Sequence, residues 1–562
     1  MMSSSETSQP GPQTGFVTHE VFNQSEPRVG VNEYLANGPL QEAVAAFGAA
    51  QATDELTRFG ATVGSAEYQE WARLANDHGP VLRTHDRWGH RIDEVEFHPS
   101  YHQLMSTSMA QGLHAAPWAP DAAAYAHTAR AAAFMMANQI EPGHCCPISM
   151  TYAVVPSLRT QPDLAAIWEP RVHGRAYSAE LADPATKPAI TFGMAMTEKQ
   201  GGSDVRANTT RAVPVGAGGP GEEYRITGHK WFCSAPMSDA FLVLARVSES
   251  DTAPSCFLVP RILPDGTRNG IRIQRLKNKL GNKSNASSEV EYVGASGWLV
   301  GEVGRGVRTI IEMVSHTRLD CVIGGAGGMR QGVAEALWHA RHRSAFGALL
   351  VDQPVMTGVL ADLALDSEAA TYTALRLAQA HEPGAGEHDQ LLRRIATPVA
   401  KYWVCKRGPQ HAYESLECLG GNGYTEDFPL ARRYREAPVL AVWEGSGNVI
   451  ALDVLRAMQR EPQAFEAFLD ELRLASGENS RFDDHVVRVA DDIARMRELP
   501  DPTTARLLTE RMALGLQASL LLRHAPQPVG DAFVETRLSP SRGLQYGALP
   551  HAFDAAKVIE RH

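Results

Sequence analysis

The chain has 562 residues, 44% of them hydrophobic and 21% charged. It is too long for one hydrophobic core and too apolar for a disordered chain, so several packed domains are expected. A formal net charge of −11 removes any general attraction to nucleic acid and leaves only a local basic patch as a route to it.

The opening stretch MMSSSETSQPGPQTG is rich in Ser, Pro, Gly and Gln, and it carries Glu6 with no Arg before Arg28. It reads as a loose tail over residues 1–25, without the apolar or basic character of a leader, which points to a cytoplasmic protein. No apolar run reads as long enough to span a bilayer, so no membrane partner is expected. Over 26–188, LQEAVAAFGAA and DAAAYAHTARAAAFMMANQ space apolar residues three and four apart on Ala-rich stretches. This predicts an all-α bundle, with Gly79-Pro80, Pro117, Pro120 and Pro142-Gly143 as breaks.

At Ala189 the period changes. Over 189–303 the runs YRITGHKWF, DAFLVLARV, SCFLVPRI, IRIQRL and SSEVEYV alternate with Gly, Asp and Pro turns, predicting a small antiparallel barrel or sandwich. Helical patterning returns over 304–460. VRTIIEMVSHTRLDCVIGGAGGMRQGVAEALWHARH reads as one or two helices, and two more long apolar-faced stretches follow it. Residues 461–562 form a further helical segment with breaks near Gly477, Pro500, Pro502, Pro526 and Pro528. The fold class is therefore α+β and multidomain: helices, a β domain, helices, and a helical tail domain.

Cysteines 145, 146, 233, 256, 321, 405 and 418 show no CxxC pair, so they read as reduced, mostly buried thiols. Cys145-Cys146 either packs plainly or closes a strained vicinal disulfide. No metal site is indicated.

Two stretches carry chemistry. In MTEKQGGSDV, from Met196 to Val205, Gly201 and Gly202 let backbone approach a flat or phosphorylated ligand. Thr197 and Ser203 supply hydroxyl donors for ring carbonyls or phosphate oxygens. In WEGSGN, from Trp443 to Asn448, Glu444 sits in a tight turn that feeds an apolar helical run.

Five motifs in this order resemble the acyl-CoA dehydrogenase superfamily: Thr197 to Asp204, Lys230-Trp231, Arg343 to Gly347, Leu419 to Tyr424, and Trp443-Glu444-Gly445. MTEKQGGSDV, NTTRA, GHKWF, KLGNKSNAS and WEGSGN are similar to its AidB-type branch, the alkylation-response flavoproteins. The resemblance implies FAD as cofactor. It places Met194, Met196, Thr197, Gly202, Ser203, Trp231, Phe232, Cys233 and Ser234 at the flavin and pyrophosphate. Arg343 and Phe346 would reach the FAD of a neighbouring subunit, Gly420 and Gly421 would lie against the same cofactor, and Gln353 and Glu417 also belong to the cofactor-binding set. Trp443, Gly445, Ser446 and Asn448 complete the set. Glu444 would be the catalytic base that removes a proton α to a thioester carbonyl. Where some family members place that base on an earlier helix, this chain has Thr317 beside Arg318.

Two functions compete for the scaffold: oxidation of an acyl-CoA, or association with double-stranded DNA to protect or repair alkylated bases. The resemblance implies a homotetramer built as a dimer of dimers under either reading. The second would use Arg456, Arg488, Arg495 and Arg497, yet residues 461–562 hold 12 Lys and Arg against 16 Asp and Glu. Asp483, Asp484, Asp491 and Asp492 lie among the arginines, as on a salt-bridged, solvated helix.

Overall fold

Alanine-rich amphipathic helices occupy both ends of the chain and share one apolar core. The computed structural model describes residues 18–248, 253–549 and 553–562. The first helices are α1 (Gly38–Ala46), α2 (Thr53–Val63), α3 (Ala66–Asp77), α4 (Pro99–Ala110), α5 (Ala126–Ile140), α6 (Cys145–Leu158) and α7 (Pro162–Val172). This part is not all-α as predicted. Between α3 and α4 stands an antiparallel hairpin, β1 (Val81–His85) with β2 (Arg91–Glu96). Its turn is DRWGH, and Arg91 and Asp93 hydrogen-bond the main chain of Ile273.

The middle segment contains β3 (Phe192–Ala195), β4 (Arg211–Pro214), β5 (Glu223–Ser234), β6 (Ala240–Ala245), β7 (Ser255–Pro260), β8 (Ile271–Leu276) and β9 (Ser287–Val300). They form a single sheet in the order β3-β6-β7-β9-β5-β4, with β8 also paired to β9. The antiparallel prediction fails at one edge, where β3 runs parallel to β6. That pairing joins segments across intervening strands and has no local sequence signal.

The stretch read as one or two helices is a single helix, α8 (Gly306–His342). After the short hairpin β10 (Ser344–Ala345) and β11 (Ala348–Leu349) come α9 (Pro354–Gln379), α10 (Glu387–Glu417), α11 (Pro429–Val442) and α12 (Gly447–Arg460). The tail segment adds α13 (Pro462–Arg473), α14 (Ser480–Glu498), α15 (Ala505–His524), α16 (Gln527–Arg537) and α17 (Ala555–Ile559). Residues from α1, α5, α8, α9, α10 and α15 belong to one buried cluster, so the helices before and after the sheet pack as one body. A second cluster joins α6 and α7 to β3, β6 and β7.

Residues 429–460 are apolar and long enough, by composition, to cross a bilayer, against the expectation of no such run. The fold breaks them into α11 and α12 and buries Arg433 and Glu436 in protein contacts. Residues 1–17 of the expected tail lie outside the described residues. Its end is tied down: Asn23 exchanges two hydrogen bonds with the Ser344 main chain, and Gln24 Oε1 accepts from Asn422. All seven cysteines are free and buried, including the vicinal pair.

Candidate active site

Helix α11 ends at Val442 because Trp443 turns extended, with φ −76° and ψ 166°. Glu444 then takes φ +58° and Gly445 φ +104°, reversing the chain into the start of α12. A side-chain-bearing residue in the left-handed region costs about 1–2 kcal/mol, so the turn must be held from outside. Lys401 Nζ holds it by donating to the Trp443 carbonyl at 2.8 Å and to the Gly445 carbonyl. Arg318 Nε donates to the Glu444 carbonyl at 3.1 Å, while its Nη1 donates to Asp453.

Thr317 Oγ1 donates to Glu444 Oε2 at 2.8 Å. Burial raises the Glu444 carboxyl above its ordinary range. The Thr317 bond and the Arg318 and Lys401 charges oppose that rise without cancelling it. A half-buried carboxyl with an elevated pKa and a fixed orientation is suited to act as a general base.

The loop from Met196 to Ser203 is braced from beneath. Glu198 is buried and accepts from Lys230 Nζ (2.8 Å), the Thr209 N–H (2.7 Å) and hydroxyl (2.9 Å), and the Thr210 N–H (3.1 Å). Burial alone would raise Glu198, but Lys230 and the two threonines hold its carboxyl at about 2. Asn208 Nδ2 donates to the Met196 carbonyl, and the Trp231 N–H donates to that of Thr197. Thus the NTTRA stretch is the loop's scaffold. The upper side presents Thr197, Gly202 and Ser203, the latter two exposed. A Cβ on Gly202 would sit 2.6 Å from Thr197 Oγ1, so a larger residue there would displace the Thr197 side chain.

Met194, Met196 and Trp443 flank the same buried cluster, which joins the loop to the Glu444 turn. Buried Cys146, on α6, lies within the influence of Ser234, Asn285, Lys279 and Glu444; burial pushes its thiol up to about 11. Trp231 is half-buried, with the Lys277 ammonium 3.2 Å from its ring centroid, and Phe232 is exposed. Cys233 is buried. A register shift between Lys230 and Cys233 breaks the strand's alternation, and the thiol points into the sheet's interior cluster. It leaves only main chain to a cofactor. Ser234 Oγ lies 3.2 Å from Ser287 Oγ.

A second group of expected residues gathers elsewhere. Arg343 Nη1 donates to the Asn23 carbonyl, and Gln353 Nε2 donates to that of Ala345. Phe346, at φ +53° on the β10–β11 turn, is 100% exposed. Glu417, Gly420 and Gly421 are exposed where α10 ends. Ser446 and Asn448 are exposed beside the Glu444 turn. Arg456, Arg488, Arg495 and Arg497 are all exposed. Exposed Asp484 and Asp491 alternate with Arg488 and Arg495 along α14, and Arg497 pairs with Glu466 at 3.6 Å.

The residues present fit FAD. Thr197 and Ser203 hydroxyls, glycine backbone and the half-buried Trp231 suit a flat ring with an attached pyrophosphate. Trp443 Nε1 is a buried donor that has no protein partner.

Comparison with known proteins agrees. The AidB protein of Escherichia coli (strain K12) is 41% identical over 529 residues, 94% of this chain and 96% of its own. The chain belongs to the acyl-CoA dehydrogenase family, in its AidB branch. The model of the adaptive response protein AidB N-terminal domain matches residues 23–179. Those of the acyl-CoA dehydrogenase middle and C-terminal domains match 193–294 and 304–459. Acyl-CoA dehydrogenase family member 11 of Caenorhabditis elegans is 32% identical, over 74% of this AidB-type chain and 68% of its own. The crystal structure of C. elegans ACDH-11 in complex with C11-CoA superposes with a TM-score of 0.84 at 26% identity, covering 97% of each chain. Acyl-CoA dehydrogenases are FAD-dependent oxidoreductases and commonly assemble as oligomers.

Sequence reasoning missed Lys401 and Glu198 as supports. It noted Thr317 only as an absent base. These residues meet across long sequence separations, and no local spacing marks them.

Proposed function

We propose that this protein oxidises an acyl thioester between Cα and Cβ, with Glu444 removing the α-proton. What carries the reading is the Glu444 carboxyl, held at 2.8 Å by Thr317 on a strained turn whose Trp443 packs against the same buried cluster as Met194 and Met196. FAD, when bound, supplies the acceptor for the β-hydride. Met194, Met196, Thr197, Gly202, Ser203, Trp231 and Ser234 would hold it, with Trp443, Gly445, Ser446 and Asn448 from the turn. The Glu444 main-chain N–H donates to the thioester carbonyl and so acidifies the α-carbon. The side chain, its pKa raised by burial, takes the proton. Glu444→Gln is expected to retain FAD and to lose about 10²- to 10⁴-fold in dye-coupled turnover of its best acyl-CoA. Unchanged turnover would remove Glu444 from the reaction.

Thr317 and Arg343 lie about 39 Å apart along α8, farther than one dinucleotide reaches. Arg343, Phe346, Gln353, Glu417, Gly420 and Gly421 therefore serve the cofactor of a second copy. A guanidinium suits that task because its fork pairs two pyrophosphate oxygens. A homotetramer arranged as a dimer of dimers accommodates the exchange.

Duplex DNA is the second reading, and what favours it is the exposure of Arg456, Arg488 and Arg495. Interleaved Asp484 and Asp491 oppose it. A gel shift at two salt concentrations decides: steeply salt-dependent binding supports DNA, and none at low salt discards it.

A further inference from the structure

The stretch KLGNKSNAS has no task in the proposed reaction, yet it carries a lysine inward between β8 and β9. Lys279 Nζ donates to the Asn285 carbonyl at 2.5 Å and to Ser287 Oγ at 3.3 Å. Ser287 opens β9, is buried, and stands in register opposite Ser234 at the end of β5. The two hydroxyl oxygens are 3.2 Å apart. A continuous polar line therefore runs from the lysine to the hydroxyl expected at the flavin.

The line has a direction. Burial draws Lys279 down to about 8, against the pull of Cys146, Glu141 and Glu436, so it is mostly an ammonium at pH 7. An ammonium has three hydrogens to give and no lone pair, so Ser287 Oγ must accept from it. Among the described residues, the other side-chain partner of Ser287 Oγ is Ser234 Oγ. The arrangement that leaves no buried proton idle has Ser287 donate to Ser234. Ser234 Oγ is then an acceptor on that side, and its own hydrogen is the free end of the relay.

The Cys146 thiol is a further neighbour of Ser234. Burial pushes that thiol up to about 11, so it stays neutral, and its sulfur is a weak acceptor. It does not compete for the Ser234 proton with a ring nitrogen or carbonyl. Both hydroxyl contacts are long, so their part is to set orientation rather than to add strength. A donor oriented before the ligand arrives has no reorganisation left to make.

We propose that Lys279, acting through Ser287, fixes the Ser234 hydroxyl as a donor to the flavin ring. Lys279 is a positioning residue in this relay. The inference rests on the placing of FAD against Ser234.

The test uses flavin-loaded protein and reads FAD affinity together with the visible spectrum of the bound flavin. Ser234→Ala sets the reference. Loss of its bond to the ring should weaken FAD about 3- to 10-fold and leave a difference spectrum in the flavin bands. Lys279→Met, which keeps the apolar stem and removes the donors, should reproduce that spectrum with a loss of similar size. Ser287→Ala should do the same, and it is the milder change should Lys279→Met fold poorly. Lys279→Met combined with Ser287→Ala should weaken FAD no further than either alone. Losses that add in full would overturn the inference, because the charge would then act through space. Wild-type affinity and spectrum in Lys279→Met or in Ser287→Ala would overturn it too, while Ser234 keeps its place at the ring. If Ser234→Ala itself changes neither, the placing of FAD against Ser234 is what fails.

Discussion

Thr317 stabilises the ionised form of Glu444, because a hydroxyl can donate to a carboxylate but gains less from a carboxylic acid. Glu444 must be ionised to act, so activity is present above its pKa and fades as pH falls through it. Burial already places that pKa above the ordinary carboxylate value. Thr317→Val removes the donor and should move the acidic limb of kcat/KM up by about one pH unit, leaving the alkaline plateau largely intact. A limb that stays in place would mean the bond has no bearing on the base. Glu444 itself stood out in the sequence because an aromatic, a carboxylate and a glycine precede a helical run. Its hydrogen-bond donor did not, since 127 residues separate the two.

The loop that carries Thr197, Gly202 and Ser203 depends on a buried ion pair beneath it. Lys230 is drawn down to about 8 by burial, against the pull of Glu198. Lys230→Met strands the Glu198 carboxylate and should destabilise the fold by about 3–5 kcal/mol, measured as a lowered urea midpoint. The double variant Lys230→Met with Glu198→Gln should recover most of that loss. Acid acts on the same pair. With its folded pKa depressed to about 2, Glu198 contributes stability that is present above the ordinary carboxylate range near 4.5. That contribution is lost as pH falls toward 2.

Elements with strong local pattern were readable: the runs that became β5 to β9, and the long helices α8, α9 and α10. The β1–β2 hairpin was hidden because each strand is short and half-exposed, and its partner surface at β8 is distant in sequence. The orientation of Cys233 was hidden by a bulge, which alternation alone does not foresee.

At the scale of the molecule, Phe346 is wholly exposed with Arg343 beside it, and on the proposed reading this is the face turned toward another copy. Phe346→Asp should dissociate the assembly in analytical ultracentrifugation and lower the ratio of flavin to protein. Intact assembly with full flavin would place the contact elsewhere. Helix α8 joins this face to the Glu444 turn without a break.

If Arg343 serves a second copy as proposed, a rod of that length makes every reaction centre a shared possession. Glu444→Gln chains and Arg343→Ala chains would each fail alone, for different reasons. Unfolded together and refolded as a mixture, they form some centres in which an undamaged base meets an undamaged anchor from the companion strand. Turnover should therefore reappear in the blend of two inactive preparations, and its absence would show that each chain works by itself.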